Sequence, residues 1–178
     1  MYVVFDLDGT LVKLNVDWSK AVMKLRQMGW KGDSLWTIPL YNKDFFVKNK
    51  EKIYSIYKEC ELEALKQERD KPLDFLDVVK NLSNYSIVTN NSIEIASLIV
   101  KKYNLNPDLI VGRESVEFPK PYSDPLDKVI NQLELNREDV LFVGDTIWDA
   151  MTARNSYVLF MSVNVSPSRF LKFLELTK

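Results

Sequence analysis

Short apolar runs recur along the chain, and each stops at a polar turn. Tyr2 to Phe5 is apolar, β-branched and aromatic, and ends at Asp6-Leu7-Asp8-Gly9-Thr10. Tyr85 to Val88, Leu109 to Val111, Val140 to Val143 and Tyr157 to Phe160 repeat the pattern. Such runs predict buried strands. Helical patterns fall between them, over Ile93 to Tyr103, Pro125 to Leu133 and Ile147 to Arg154. Apolar strands alternating with helices predict an α/β fold, with a mostly parallel sheet covered on both faces.

One stretch breaks this rhythm. From about Leu14 to Lys71 the chain carries Trp18, Trp30 and Trp36 and a long Lys/Glu-rich helical pattern, Val47 to Arg69. Ile53, Ile56, Tyr57, Cys60 and Leu65 recur there at near-helical spacing. The stretch is too long for an ordinary connection and predicts a small all-helical insertion after the first strand. Pro72 is expected to open the next helix, Leu73 to Leu82.

Composition then narrows the chemistry. The chain has no histidine and one cysteine, Cys60. His-based triads, His-ligated zinc and thiolate clusters are therefore excluded, leaving carboxylates with a hard cation as the natural chemistry. With 24 Lys plus Arg against 25 Asp plus Glu, the net charge is −1, which gives no reason to expect nucleic acid or an anionic membrane. No run nears the roughly 18 apolar residues of a membrane span, and the N-terminus turns acidic at once. A cytoplasmic protein, monomer or homodimer, is expected.

Four motifs stand at the ends of the apolar runs or in a stiff loop. Asp6 and Asp8 flank Leu7, so strand alternation sends both carboxylates to one side. Two such close carboxylates call for a cation or a shared proton. Thr89-Asn90-Asn91-Ser92 follows the second strand, with a hydroxyl and free N–H groups before a helix, a ready anion site. Lys120 lies between Pro119 and Pro121 on a stiff backbone. Asp145 and Asp149 stand one helical turn apart and suit a divalent cation. Singly, each has a plainer reading: an Asp-rich turn, an N-cap by Asn91 or Ser92, a common Pro-flanked loop, or a cap by Asp145 or Thr146 with Asp149 on a solvated face.

Jointly, these residues resemble the four ordered motifs of the haloacid dehalogenase superfamily, nearest its phosphoglycolate phosphatase-like branch. The resemblance implies a Rossmann-like three-layer core, residues 1–13 and 72–178, with a helical cap at 14–71. It further implies Mg²⁺-dependent hydrolysis of a small phosphorylated metabolite, phosphoglycolate among the candidates. Asp6 would be the nucleophile and Asp8 the general acid/base. Thr89 and Asn90, through its amide, would bind phosphate with Lys120, which also neutralises Asp6. Asp6, the Asp8 carbonyl, Asp145 and Asp149 (directly or in support) would hold Mg²⁺. The chain departs from the pattern at Lys13-Leu14, where capped members often have Asp-Ser, and at Arg154-Asn155-Ser156, where a small pair with Gly is usual. Both departures bear on substrate rather than chemistry.

Asp8 argues against carbon–halogen cleavage, where no leaving group needs a proton. A phosphomutase shares all four motifs, and a non-catalytic ligand-binding relative would retain the fold; both stand as alternatives. A response-regulator receiver does not fit, because its phospho-accepting Asp lies at a later strand.

Overall fold

The computed structural model describes residues 1–177. In chain order the elements are β1 (Tyr2–Phe5), β2 (Val12–Leu14), α1 (Ser19–Gln27), α2 (Ile38–Tyr41), α3 (Lys43–Lys66), β3 (Asp70–Pro72), α4 (Phe75–Lys80) and β4 (Tyr85–Val88). There follow α5 (Ile93–Lys102), β5 (Leu109–Val111), α6 (Asp124–Gln132), β6 (Val140–Gly144), α7 (Ile147–Asn155), β7 (Leu159–Ser162) and α8 (Pro167–Leu176). The chain divides into two compact units, residues 1–13 with 71–178, and residues 14–70.

The first unit is built on a five-stranded sheet of order β5-β4-β1-β6-β7, parallel at every pairing. Successive residues of β1 serve opposite faces, as the pleat demands. Val4 joins Phe142, Val129, Leu126 and Ala153 in a cluster under α6 and α7. Phe5 instead meets Phe75 of α4, Tyr85 and Phe170 of α8, with ring centroids 6.0–6.4 Å apart. Helices therefore cover both faces, and the predicted α/β, Rossmann-like architecture is present. The strand order reverses at β1, which has β4 on one side and β6 on the other. Ligands of open parallel sheets bind beyond the strand ends at such a reversal.

The second unit holds α1, α2 and α3. Lys20 and Lys24 of α1 pair with Glu63 and Glu59 of α3 on its exposed side. Trp30 is 3% exposed, whereas Trp18 and Trp36 are half-buried and meet edge to face, 5.0 Å apart, beside Tyr57. Among the described residues no helix is long and apolar enough to cross a membrane.

Several boundaries differ from those the pattern predicts. The last strand starts at Leu159, not Tyr157. Tyr157 takes a left-handed conformation (φ 56°) and, with Val158, closes α7 by donating N–H groups to Arg154 and Ala153. That is a helix C-cap, so the ladder begins two residues later. Helix α3 begins four residues before Val47, because Phe46 is buried against Tyr54. It ends at Lys66, where Glu68 turns left-handed (φ 52°). Pro72 closes the edge strand β3 rather than opening α4, and Leu73 donates its N–H to the Leu11 carbonyl instead of entering a helix. Helix α8 has no counterpart in the sequence reading.

Candidate active site

Three adjacent strands deliver the site. Asp6 follows β1, Thr89 follows β4 and Asp145 follows β6, all at the C-terminal edge of the sheet. The Asp6 N–H donates to the Val143 carbonyl at 2.9 Å, which prolongs the β1–β6 ladder into the motif. The turn beyond it is tight: Leu11 and Val12 both donate to the Leu7 carbonyl, and Gly9 sits at φ 94°.

Lys120 reaches in from the loop before α6 and is 5% exposed. Its Nζ donates to Asp6 Oδ1 at 2.6 Å and to Asp149 Oδ1 at 2.5 Å. Asp149 is fully buried, one turn into α7. Its Oδ2 accepts from the Thr146 hydroxyl at 2.6 Å and the Thr146 N–H at 2.9 Å, forming a capping box. Thr146 is thus the N-cap that the plainer reading allowed, but Asp149 is not on a solvated face. Asp145 is more exposed, and one carboxylate oxygen each from Asp6, Asp145 and Asp149 lie within 4.8 Å of one another. Thr10 completes the Asp6 surroundings, its hydroxyl donating to Oδ2 at 3.3 Å.

Three carboxylates and one ammonium leave this cluster short of positive charge. Burial pushes the Asp6 carboxyl well above the usual carboxylate range; Lys120 opposes the rise, while Asp149 and Asp145 add to it. Asp145 is raised too, by burial and then by Asp149. Asp149 goes the other way: burial disfavours its charge, but Lys120 and then Thr146 outweigh that and hold it low. Lys120 likewise overcomes its burial through Asp149 and Asp6 and stays firmly protonated. The Lys120–Asp149 pair is therefore the settled one, and Asp6 with Asp145 carries the unbalanced charge. Oxygen donors around unbalanced negative charge fit a hard divalent cation.

The other expected residues are placed as follows. Asp8 is half-buried in the turn after Asp6, where it bridges to Val12, and its carboxylate is not part of the three-carboxylate group. Thr89 is buried, donates its hydroxyl to Asn91 Oδ1 at 2.8 Å and accepts the Asn91 N–H at 3.1 Å. The Asn90 side chain turns to the Lys120 backbone, accepting its N–H at 3.1 Å and donating to its carbonyl at 3.2 Å. Ser92, not Asn91, stands at the N-cap position of α5.

Sequence reasoning missed Arg113. It is 2% exposed and its Nη1 donates to the Asn90 carbonyl at 2.8 Å. An arginine after a glycine at a strand end carries no pattern that marks it in advance.

The family model described as haloacid dehalogenase-like hydrolase matches residues 3–163. The chain belongs to that family. Among curated relatives of this haloacid dehalogenase-like hydrolase is "Putative pyrophosphatase PpaX" of Caldanaerobacter subterraneus subsp. tengcongensis, 29% identical over 96% of this chain and 85% of the relative. "Pyrophosphatase PpaX" of Halalkalibacterium halodurans is 35% identical over 41% of this chain and 35% of its own length. Among solved structures, the "putative phosphoglycolate phosphatase" of Lactobacillus plantarum superposes with a TM-score of 0.66 over 90% of this chain and 84% of that one, at 16% identity. At that identity the likeness speaks for the fold.

Proposed function

We propose that this hydrolase is a Mg²⁺-dependent phosphatase that takes a phosphoryl group from a small substrate onto Asp6. The observation that carries the reading is the Lys120 ammonium held between Asp6 and Asp149, beside Asp145. Phosphoryl transfer needs positioning and charge neutralisation more than elaborate covalent chemistry.

Asp6, the Asp8 carbonyl and Asp145 would hold Mg²⁺. Both Asp149 oxygens are engaged by Lys120 and Thr146, which favours a supporting role over direct ligation. The ion, when bound, supplies the charge that keeps Asp6 ionised and shields it from an anionic substrate. A carboxylate oxygen of Asp6 attacks phosphorus, and the bond from phosphorus to the leaving oxygen breaks. Asp8 gives that oxygen its proton. Asp8 then takes a proton from water, the water oxygen attacks phosphorus, and the phosphorus–Asp6 bond breaks to free phosphate and restore Asp6. Thr89, the Asn90 amide and Lys120 hold the phosphoryl oxygens throughout.

The name of the PpaX relative supports pyrophosphate as a substrate, and the motifs' resemblance to the phosphoglycolate phosphatase-like branch makes phosphoglycolate the second candidate. Both present a phosphoryl group on an anionic leaving group, which Asp8 can protonate. The test is phosphate release from pyrophosphate, phosphoglycolate and p-nitrophenyl phosphate with Mg²⁺, against an Asp6→Asn control. Release abolished by that substitution supports the reading, and release from none of the three overturns it. Transfer to a sugar phosphate without free phosphate would instead support a mutase.

A further inference from the structure

We infer that Asn90 and Arg113 form a relay that positions Lys120, with the Asn90 side chain serving the lysine rather than the phosphate. The inference rests on the phosphatase reading for its kinetic arm but has a readout independent of activity.

Three loops meet at Asn90. Its side-chain amide makes a reciprocal pair of hydrogen bonds with the backbone N–H and carbonyl of Lys120, at 3.1 and 3.2 Å. One side chain thereby fixes both peptide groups that flank the lysine Cα. Its own carbonyl accepts from Arg113 Nη1 at 2.8 Å. The Arg113 N–H donates to the Asn91 carbonyl at 3.1 Å, and Glu114 Oε2 accepts the Ile93 N–H at 3.1 Å. The 112–115 turn thus grips the 90–93 loop at three points, residues 90, 91 and 93. It also lies flush against it: a β-carbon on Gly112 would stand 2.7 Å from the Ile93 nitrogen.

The energetic reason for such a grip lies in Lys120. Ordering a lysine side chain gives up its large rotamer freedom. Its Nζ must also satisfy two carboxylates on different elements, Asp6 after β1 and Asp149 in α7. Misplacing the backbone from which it springs would strain both bonds at once. A buried guanidinium is costly unless it is paired and hydrogen-bonded. Arg113 lies beside the Glu114 carboxylate, and one of its N–H groups goes to the carbonyl of the residue that clamps the lysine. The Asn90 side chain and Arg113 thus act through Lys120 and are positioning groups, while the Asn90 backbone N–H keeps its place toward the phosphate.

Two measurements test this on the full chain. The first is lysine acylation by a small anhydride, followed residue by residue by mass spectrometry. Buried Lys120 should be protected in the wild type. Asn90→Ala and Arg113→Lys should each speed its labelling by about tenfold or more, while exposed lysines such as Lys80 keep their rates. Unchanged Lys120 labelling in well-folded Asn90→Ala, with its circular dichroism and Tm preserved, overturns the inference whatever the protein's activity. The second is a double-mutant cycle on p-nitrophenyl phosphate. Asn90→Ala should lower kcat by about tenfold in the wild-type background and by less than about twofold in Lys120→Ala. Equal factors in both backgrounds would show that Asn90 acts on phosphate by itself. A wild type without phosphatase activity sinks the functional reading but leaves the labelling result to decide this one.

Discussion

Gly9 and Asp145 touch so closely that a β-carbon on Gly9 would stand 2.2 Å from the Asp145 carboxylate. The glycine also sits at φ 94°, a conformation that L side chains rarely adopt. Backbone strain and steric exclusion thus fall on one residue, and only the second reaches the ion site. Gly9→Ala should cost about 1 kcal/mol through its backbone, a Tm loss of about 2–4 °C. The Mg²⁺ concentration for half-maximal activity should rise far more, by about tenfold or beyond, because Asp145 must move. Equal Mg²⁺ requirements for wild type and variant would disprove the link.

Metal removal follows from the charge count. With three clustered carboxylates against Lys120, excess EDTA should abolish turnover and Mg²⁺ should restore it. Ca²⁺ should restore little, because its larger and looser shell misplaces Asp6 relative to phosphorus. Full turnover in EDTA would sink the mechanism.

The same imbalance gives a pH dependence. Burial, together with Asp149 and Asp145 and against Lys120, raises the Asp6 carboxyl above its unfolded value. A group raised on folding contributes stability at low pH and loses it as pH rises through the folded value. Metal-free Asp6→Asn should therefore be more stable than metal-free wild type at pH 8. The advantage should shrink toward the ordinary aspartate range near about 4. Added Mg²⁺ should stabilise the wild type more than the variant. Thermal melts across pH, with and without Mg²⁺, measure all three; a variant less stable than wild type at pH 8 without metal would contradict the assignment.

The two N-terminal aspartates should fail differently. On the proposed mechanism Asp6→Asn removes the nucleophile and should cost several orders of magnitude, roughly 10⁴-fold or more. Asp8→Asn keeps its backbone carbonyl and loses only the proton relay, so its deficit should grow as the leaving group worsens. A deficit of the same size on p-nitrophenyl phosphate and on an alkyl phosphate would remove Asp8 from the proton-transfer role.

What the sequence disclosed, and what it hid, divides along physical lines. Buried parallel strands must be apolar on both faces, so β1, β4 and β5 were legible to the residue. β7 was displaced because Tyr157 is β-prone by type yet caps a helix by conformation. Helix α8 was missed because its decisive contact is a single buried side chain, Phe170 against Phe5 and Phe75, which is tertiary information. The site shows the same split. Asp6, Asp145 and Asp149 are legible from their spacing at strand ends and Lys120 from its two flanking prolines, and the structure brings their charged groups together. The second use of Asn90, on the Lys120 backbone, and the buried Arg113 behind it depend on loops distant in sequence.

The final expectation concerns residues 14–70. None of the motif residues lies there, since Asp6, Asp8, Thr89, Asn90, Lys120, Asp145 and Asp149 all belong to the other unit. On the proposed mechanism, a unit that holds none of these residues but retains aromatic surface would serve to select the substrate, as a helical cap would. Its tryptophans divide by burial. Trp30 is core, so Trp30→Ala should cost about 3–5 kcal/mol in stability and say nothing of selectivity. Trp18 and Trp36 are half-buried and pack edge to face against each other and near Tyr57. Trp18→Leu and Trp36→Leu keep an apolar filler while removing the ring edges. They should shift kcat/KM between pyrophosphate and phosphoglycolate by about tenfold or more, and leave p-nitrophenyl phosphate within about twofold. Lys120→Ala and Asp145→Ala should depress all three substrates together, because they act on the phosphoryl group that all three share. Parallel losses on all three from folded Trp18 and Trp36 variants would place this unit in the chemistry itself, and the division of labour would fall.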